Sequence, residues 1–201
     1  MDKDALNKLK KGKSKEQQKV LDYFLKEGCF AGTMKDEEYL SMVKARRESL
    51  NAKQTALNKI GLDESELKEI PPAELEGFVF DNVYVKQQKD GKWVSSTYQV
   101  AWVFCSSTQL YIYRCSFNMD DSKKNESTDE FFYKDVTSIS TSTDTKEGKN
   151  EDKHGKKMGV TTNRLCMVVP GDKIYIALDE VPNSEGIIQA LKQKLREKKT
   201  S

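Results

Sequence analysis

Residues Trp93 to Phe117, WVSSTYQVAWVFCSSTQLYIYRCSF, narrow what this chain can become more than any other stretch. They read as two long strands joined by the polar turn Ser106-Ser107-Thr108-Gln109. Side chains alternate along a strand, so Tyr98, Val100, Trp102 and Phe104 share one face. Ala101, Val103 and Cys105 fill the other. Both faces are apolar, which predicts a strand covered on both sides. Leu110, Tyr111, Ile112 and Tyr113 continue the pattern after the turn. β-branched and aromatic residues dominate, as half-buried pleated surfaces favour. The hairpin predicts the centre of a β-barrel or sandwich, with Trp102 deep in its core.

The chain before this hairpin is helical in pattern. From Met1 to Lys19, Lys3, Lys8, Lys10, Lys11, Lys13, Lys15 and Lys19 outnumber Asp2, Asp4 and Glu16. So little apolar surface does not offset the entropy of ordering, and residues 1–14 are expected to be a flexible basic N-terminus. Val20, Leu21, Phe24 and Leu25 then repeat at helical spacing, predicting a helix over Lys15 to Glu27 with Gly28 as its C-cap. Thr33 can cap a second helix whose first turn holds Asp36, Glu37 and Glu38, where acidic groups suit the helix dipole. Tyr39, Val43, Leu50 and Leu57 stripe it, and Gly61 ends it. Three positions at a spacing of seven are too few for a coiled coil. The expectation is a helical hairpin, folded on itself or on a β domain C-terminal to it, with Asp63 capping one further turn. Pro71-Pro72 ends this helical region, residues 15–76. The β domain, residues 77–201, is expected to be stable alone from Gly77.

From Phe78 onward short strands alternate with turns. A first strand runs through Phe78, Phe80, Val83 and Val85, and Asp90-Gly91 supplies a tight turn. After the central hairpin, Asn118 to Asp129 reads as a polar loop. Phe131, Phe132, Tyr133, Val136 and Ile139 mark further strand, bent at Lys134-Asp135. Asp144 to Lys157 is charged and glycine-bearing, and is expected to be a mobile loop. Val160, Leu165, Met167 and Val169 form another strand, turned by Pro170-Gly171-Asp172 into Lys173 to Leu178. Asn183 or Ser184 caps a last helix with Ile187, Ile188, Leu191 and Leu195 on one face. Its tail is basic: Lys192, Lys194, Arg196, Lys198 and Lys199.

About seven strands joined by hairpin turns and closed by one amphipathic helix resemble the pleckstrin-homology-like (PH-like) superfold over Phe78 to Lys199. The segment FFYKDVTSI, Phe131 to Ile139, is similar to its bacterial members: an aromatic strand, a turn, an aliphatic strand. The resemblance implies an α+β chain: an N-terminal helical hairpin, then a PH-like seven-stranded β-barrel or sandwich with a C-terminal capping helix. A Greek-key sandwich or a lipocalin-like barrel are the alternatives; the single terminal helix fits the first reading better. Lipid-binding members use a basic pair across the first hairpin. Here Lys86, Lys89 and Lys92 lie at the matching turn and are the candidate ligand-binding residues. The next strand opens Trp93-Val94-Ser95-Ser96, without the further basic residues those members carry.

Chemistry is sparse elsewhere. Charged residues make up 33% of the 201, but the formal net charge is only +2, so no global field selects nucleic acid. Cys29, Cys105, Cys115 and Cys166 are scattered without a CxxC, and are expected to be reduced and buried. The longest apolar run, Val100 to Cys105, is too short to cross a bilayer, and the first residues do not resemble a signal peptide. A cytoplasmic protein is expected. His154, the only histidine, sits in a charged stretch that offers no pocket. No phosphate-binding, dinucleotide, nucleophile-elbow, zinc or calcium spacing occurs. The aromatics alternate with aliphatics, as in a core rather than a base-stacking face. The reading is therefore a non-catalytic binding module without cofactor or metal, its partner another protein. Salt-sensitive attachment to anionic membranes through basic surfaces is one alternative, and an enzyme with no recognisable motif, its carboxylate or cysteine chemistry assembled across the fold, is the other.

Overall fold

The computed structural model describes residues 3–26, 34–63, 65, 67, 70–152, 154–178 and 181–200. The expected hairpin is there. β4 (Thr97–Cys105) pairs antiparallel with β5 (Gln109–Asn118), with Cys105 opposite Leu110. β1 (Ala73–Phe78) flanks β4 and β6 (Lys124–Phe132) flanks β5, giving a sheet in the order β1-β4-β5-β6.

The alternation along β4 decides what covers each face. Leu75, Ala101, Val103, Leu110 and Ile112 meet a second sheet and the last helix. That sheet is β7 (Ser138–Glu151), β8 (Lys157–Val169) and β9 (Asp172–Ala177), ordered β7-β8-β9. The helix is α5 (Ser184–Thr200), which contributes Ile188, Leu191 and Leu195 as its periodicity predicts. Burying one such side chain contributes roughly 1.5–3 kcal/mol. The opposite face presents Tyr98, Val100, Phe104, Tyr113 and Phe117 to helices α2 (Lys15–Leu25), α3 (Asp36–Ser49) and α4 (Ala52–Ile60). The small hairpin of β2 (Val85–Gln87) and β3 (Trp93–Ser95) joins this second core. Asp90-Gly91 turns that hairpin, with Gly91 at φ 88°. α2 opens on a capping box: Ser14 Oγ accepts from Gln17 N–H at 3.1 Å, and Gln17 Oε1 accepts from Ser14 N–H at 2.9 Å.

Several expectations are corrected. Residues 3–10 of the expected flexible N-terminus form helix α1 (Lys3–Lys10). Leu6 is buried, Lys10 pairs with Asp22 at 2.5 Å, and Lys13 Nζ donates to Asp120 O at 2.7 Å. One leucine and two anchored lysines supply what composition alone did not promise. The expected helix to Gly61 breaks at Asn51, whose φ of 43° is left-handed, so Val43 and Leu57 lie on different helices. Gly61 does end α4, at φ 76°. The caps assigned to Gly28 and Thr33 lie outside the described residues.

β1 begins directly after Pro72, four residues before Gly77, and it pairs with the centre of the sheet. Gly77 lies inside β1, and helices and sheet contribute to one shared core. The stretch from Trp93 to Cys105 is broken at Ser96, where the chain passes from the β2–β3 hairpin into the main sheet. The polar loop expected from Asn118 to Asp129 is largely β6, an edge strand whose side chains are mostly polar and exposed or half-buried. The mobile loop expected from Asp144 to Lys157 is the far half of the β7–β8 hairpin. Trp102 lies on the predicted face but is only half-buried, under Lys53 Nζ at 5.8 Å from its ring. No sheet closes into a barrel among the described residues. Where the two sheets approach, Ala177 N–H donates to the Gln99 side chain at 2.9 Å rather than to a strand backbone.

Candidate functional site

The far end of the β7–β8 hairpin reaches past its own sheet and grips the segment that enters β2. The β7–β8 register becomes irregular between Glu147 and Glu151, which releases β7 backbone for new partners. Asn82 N–H donates to Glu147 O at 3.0 Å and Lys149 N–H donates to Val83 O at 2.7 Å. Asn150 then serves Val85 twice, accepting from its N–H and donating to its O, both at 2.8 Å. Gly148 makes this approach possible. A Cβ there would lie 2.6 Å from a Val85 methyl.

The β2–β3 hairpin is fixed on its other side by helices. Tyr23 OH donates to Asp36 Oδ1 at 2.8 Å and accepts from Gln88 Nε2 at 3.2 Å. Tyr39 OH donates to Ser95 O at 2.5 Å. The two tyrosine rings stack at 4.7 Å. Burial pushes both hydroxyls well above the usual tyrosine range, so they remain neutral donors.

Between these fixed parts lies a groove of about 760 Å³. Tyr23, Phe24, Val85, Trp93 and Met158 give it an apolar lining, and Lys26, Lys86, Lys156 and Lys157 stand around it. Asp152 is the one carboxylate among the described lining residues. Its Oδ1 accepts from the N–H groups of Lys156, at 3.0 Å, and His154, at 2.8 Å. Those bonds hold it below the usual carboxylate range, with the Lys156 bond the larger cause. Past Trp93 the groove continues as a second lobe of about 460 Å³, bordered by Phe80, Lys92, Val160, Thr161, Val181 and Pro182. Half-buried Trp93 lines both lobes.

Two of the three predicted lysines therefore border this groove, on either side of Trp93. Lys86 lines the larger lobe, its Nζ donating to Tyr23 O at 3.1 Å and lying 3.8 Å from the Tyr23 ring centre. Lys92 lines the smaller. Lys89 lines neither; its backbone N–H donates to Asp36 Oδ2 at 3.2 Å. The sequence reading missed Lys26, Lys156, Lys157 and Met158. The signal for the last three was the alternation of exposed and apolar residues into Val160, masked by the charges around it.

Other polar clusters tie elements together. Tyr113 OH donates to Glu126 Oε1 at 2.5 Å, and Lys59 from α4 reaches Glu126 Oε2 at 2.9 Å. The tyrosine bond, then the lysine, hold Glu126 below the usual carboxylate range. Cys105, Cys115 and Cys166 are buried and in no disulfide. Cys105 faces the second sheet and Cys115 the helices, so the hairpin does not bring them together. Among the described residues no group of three or more His, Cys, Asp or Glu could hold a metal ion, and no helix is long and apolar enough to cross a membrane. No family model, curated protein or solved structure matches the chain.

Proposed function

We propose that this protein is a non-catalytic binding module that engages another protein through the lysine-bordered groove. The groove itself carries the reading: an apolar floor ringed by lysines, in the size range of ligand sites, held open by two anchored hairpins. Half-exposed Trp93 at its centre is the kind of side chain on which binding energy concentrates. The PH-like reading is part of this proposal. Its support is the order of elements: β1 and β4 to β6 in one sheet, β7 to β9 in the next, then α5. On that reading β2–β3 is an insertion after the first strand. The buried thiols among the described residues, none in a disulfide, support a cytoplasmic setting.

The test is affinity capture from native cells with the wild-type chain, Trp93→Ala and Lys157→Glu. A partner recovered by wild type and lost from both variants is the expected result. A partner recovered equally by all three binds elsewhere and overturns the groove. Attachment to anionic membranes is a second reading, favoured by the same lysines, each contributing about 1 kcal/mol near an anionic surface. Sedimentation with phosphatidylserine vesicles checks it; binding that survives physiological salt and needs Lys86 and Lys92 would put the membrane first.

A further inference from the structure

β6 pairs with β5 from Lys124 to Phe132, and among the described residues no strand lies on its other side. The chain is described without a break from residue 70 to residue 152, so the turns before and after β6 are both in view. Both return toward β5. Asn118 N–H donates to Lys123 O at 3.1 Å, and Tyr133 N–H donates to Thr108 O at 3.4 Å. These two bonds also fix which groups of β6 point outward, because bonded and non-bonded pairs alternate along an antiparallel ladder. Lys123 and Tyr133 are bonded positions, so Asn125, Ser127, Asp129 and Phe131 direct their backbone groups to β5. Lys124, Glu126, Thr128 and Glu130 turn theirs away from the sheet. Among the described residues no other backbone group bonds to them. Two common guards on such an edge are a proline and a bulge. β6 has no proline, and its register with β5 does not shift.

We propose that β6 takes a second copy of this chain, antiparallel, joining two four-stranded sheets into one of eight strands. The order of charges selects this occupant. Within the chain Glu126 pairs with Lys59 at 2.9 Å, and Asp129 with Arg114 at 2.9 Å. Exposed Lys124 begins the strand, 3.5 Å from Glu126. Exposed Glu130 stands near the other end, accepting from the neutral Gln109 amide at 2.6 Å. A two-fold axis at Ser127 brings Lys124 of each copy opposite Glu130 of the other, and Glu126 opposite Thr128. All four are outward residues, so this register also makes a full ladder. Moving the axis by one residue sets Glu126 against itself or against Glu130. Moving it by half a residue pairs outward groups with inward ones. Opposite charges across strands are favourable and like charges unfavourable, so one register is selected. One patch that complements itself is what a two-fold dimer requires. No residue of β5 or β6 lines the groove, so the dimer presents two open grooves to a partner. Linked sites raise effective affinity without any new contact. The dimer goes beyond the binding-module reading and does not depend on it.

The experiment is sedimentation velocity of the full chain at rising concentration, with amide exchange read at the lowest and the highest. The expected result is a monomer–dimer equilibrium. The Lys124, Glu126, Thr128 and Glu130 amides should slow as dimer forms, while those of Asn125, Ser127 and Asp129 are slow throughout. Lys124→Glu and Glu130→Lys each set like charges opposite each other twice, and each should weaken dimerisation about tenfold. Mixing the two variants should restore it, and so should the chain carrying both changes, because opposite charges then face each other again. Both charge variants should keep the wild-type melt where the chain is monomeric. Thr128→Pro removes an outward N–H, leaves the β5 ladder its bonds, and should also weaken the dimer. A chain that stays monomeric at every concentration overturns the proposal. A dimer indifferent to all three changes lies elsewhere and overturns the interface. A dimer weakened by both charge variants but not restored by mixing them overturns the register. Trp93→Ala should dimerise like wild type, so loss of the groove's partner and loss of the dimer are separate results.

Discussion

The two faces of the β1-β4-β5-β6 sheet are finished in different ways. Against the second sheet the core is aliphatic but for Tyr133, whose OH donates to Ser106 O: Leu75, Val103, Ile112, Leu165, Ile174, Ile176 and Leu191 make up most of it. Against the helices aliphatic residues are joined by a cluster of aromatic ones, among them Tyr23, Phe24, Tyr39, Phe78, Phe104 and Tyr113. An aliphatic core asks only that shapes fit. A buried tyrosine also needs a partner for its hydroxyl, and each here has one: Asp36 for Tyr23, Ser95 O for Tyr39, Glu126 for Tyr113. Those bonds are directional, so they fix how helices and hairpins sit on the sheet. The groove forms on this side, where position is set by bonds as well as by packing.

Removing the helices should have the largest effect. A fragment beginning at Ala73 keeps β1 but bares Tyr98, Val100, Phe104 and Phe117. It should be insoluble or lack a cooperative melt by circular dichroism; a soluble, cooperatively melting fragment would make the aromatic side dispensable. Within the aliphatic core, Leu165→Ala should cost about 2–5 kcal/mol in urea titration, the range for emptying a buried leucine site. A cost under ~1 kcal/mol would mean that the second sheet repacks freely.

Two changes probe the bonded side. Gly148→Ala places a methyl against Val85 and should cost about 1–3 kcal/mol, as overpacking does. Slowed exchange at the Asn82 and Lys149 amides should be lost with it; unchanged exchange would show that the hairpin tip is held elsewhere. Tyr39→Phe keeps the ring but leaves Ser95 O without its donor, at about 1–3 kcal/mol. A neutral result would mean that the aromatic core, like the aliphatic one, is held by shape alone.

The smallest expected effect depends on pH. Glu126 has a folded-state pKa below its unfolded value. Its contribution is therefore complete above the unfolded value and is lost as pH falls through the folded one. Glu126→Gln should destabilise the chain at neutral pH and flatten the acid limb of its stability profile. A variant whose acid limb matches wild type would show that the Tyr113–Glu126–Lys59 cluster carries no linkage.

What the sequence determined was local. The β4–β5 hairpin, its two faces, α2 with Val20, Leu21, Phe24 and Leu25, the Asp90-Gly91 turn and the buried stripe of α5 were all legible. Each rests on a period of two or 3.6 residues that the chain displays within a few turns. Tertiary structure decided the rest. β6 and the far half of β7 are strands because neighbours accept their backbone bonds, although their side chains are mostly polar. β1 lies against β4 through a pairing distant in sequence, and the cover over Trp102 depends on where α4 brings Lys53. The groove joins Lys26 at the end of a helix to Lys86 on one hairpin and Lys157 on another. No periodicity spans that separation, since the residues meet only after two sheets and a set of helices have packed around the hairpin between them.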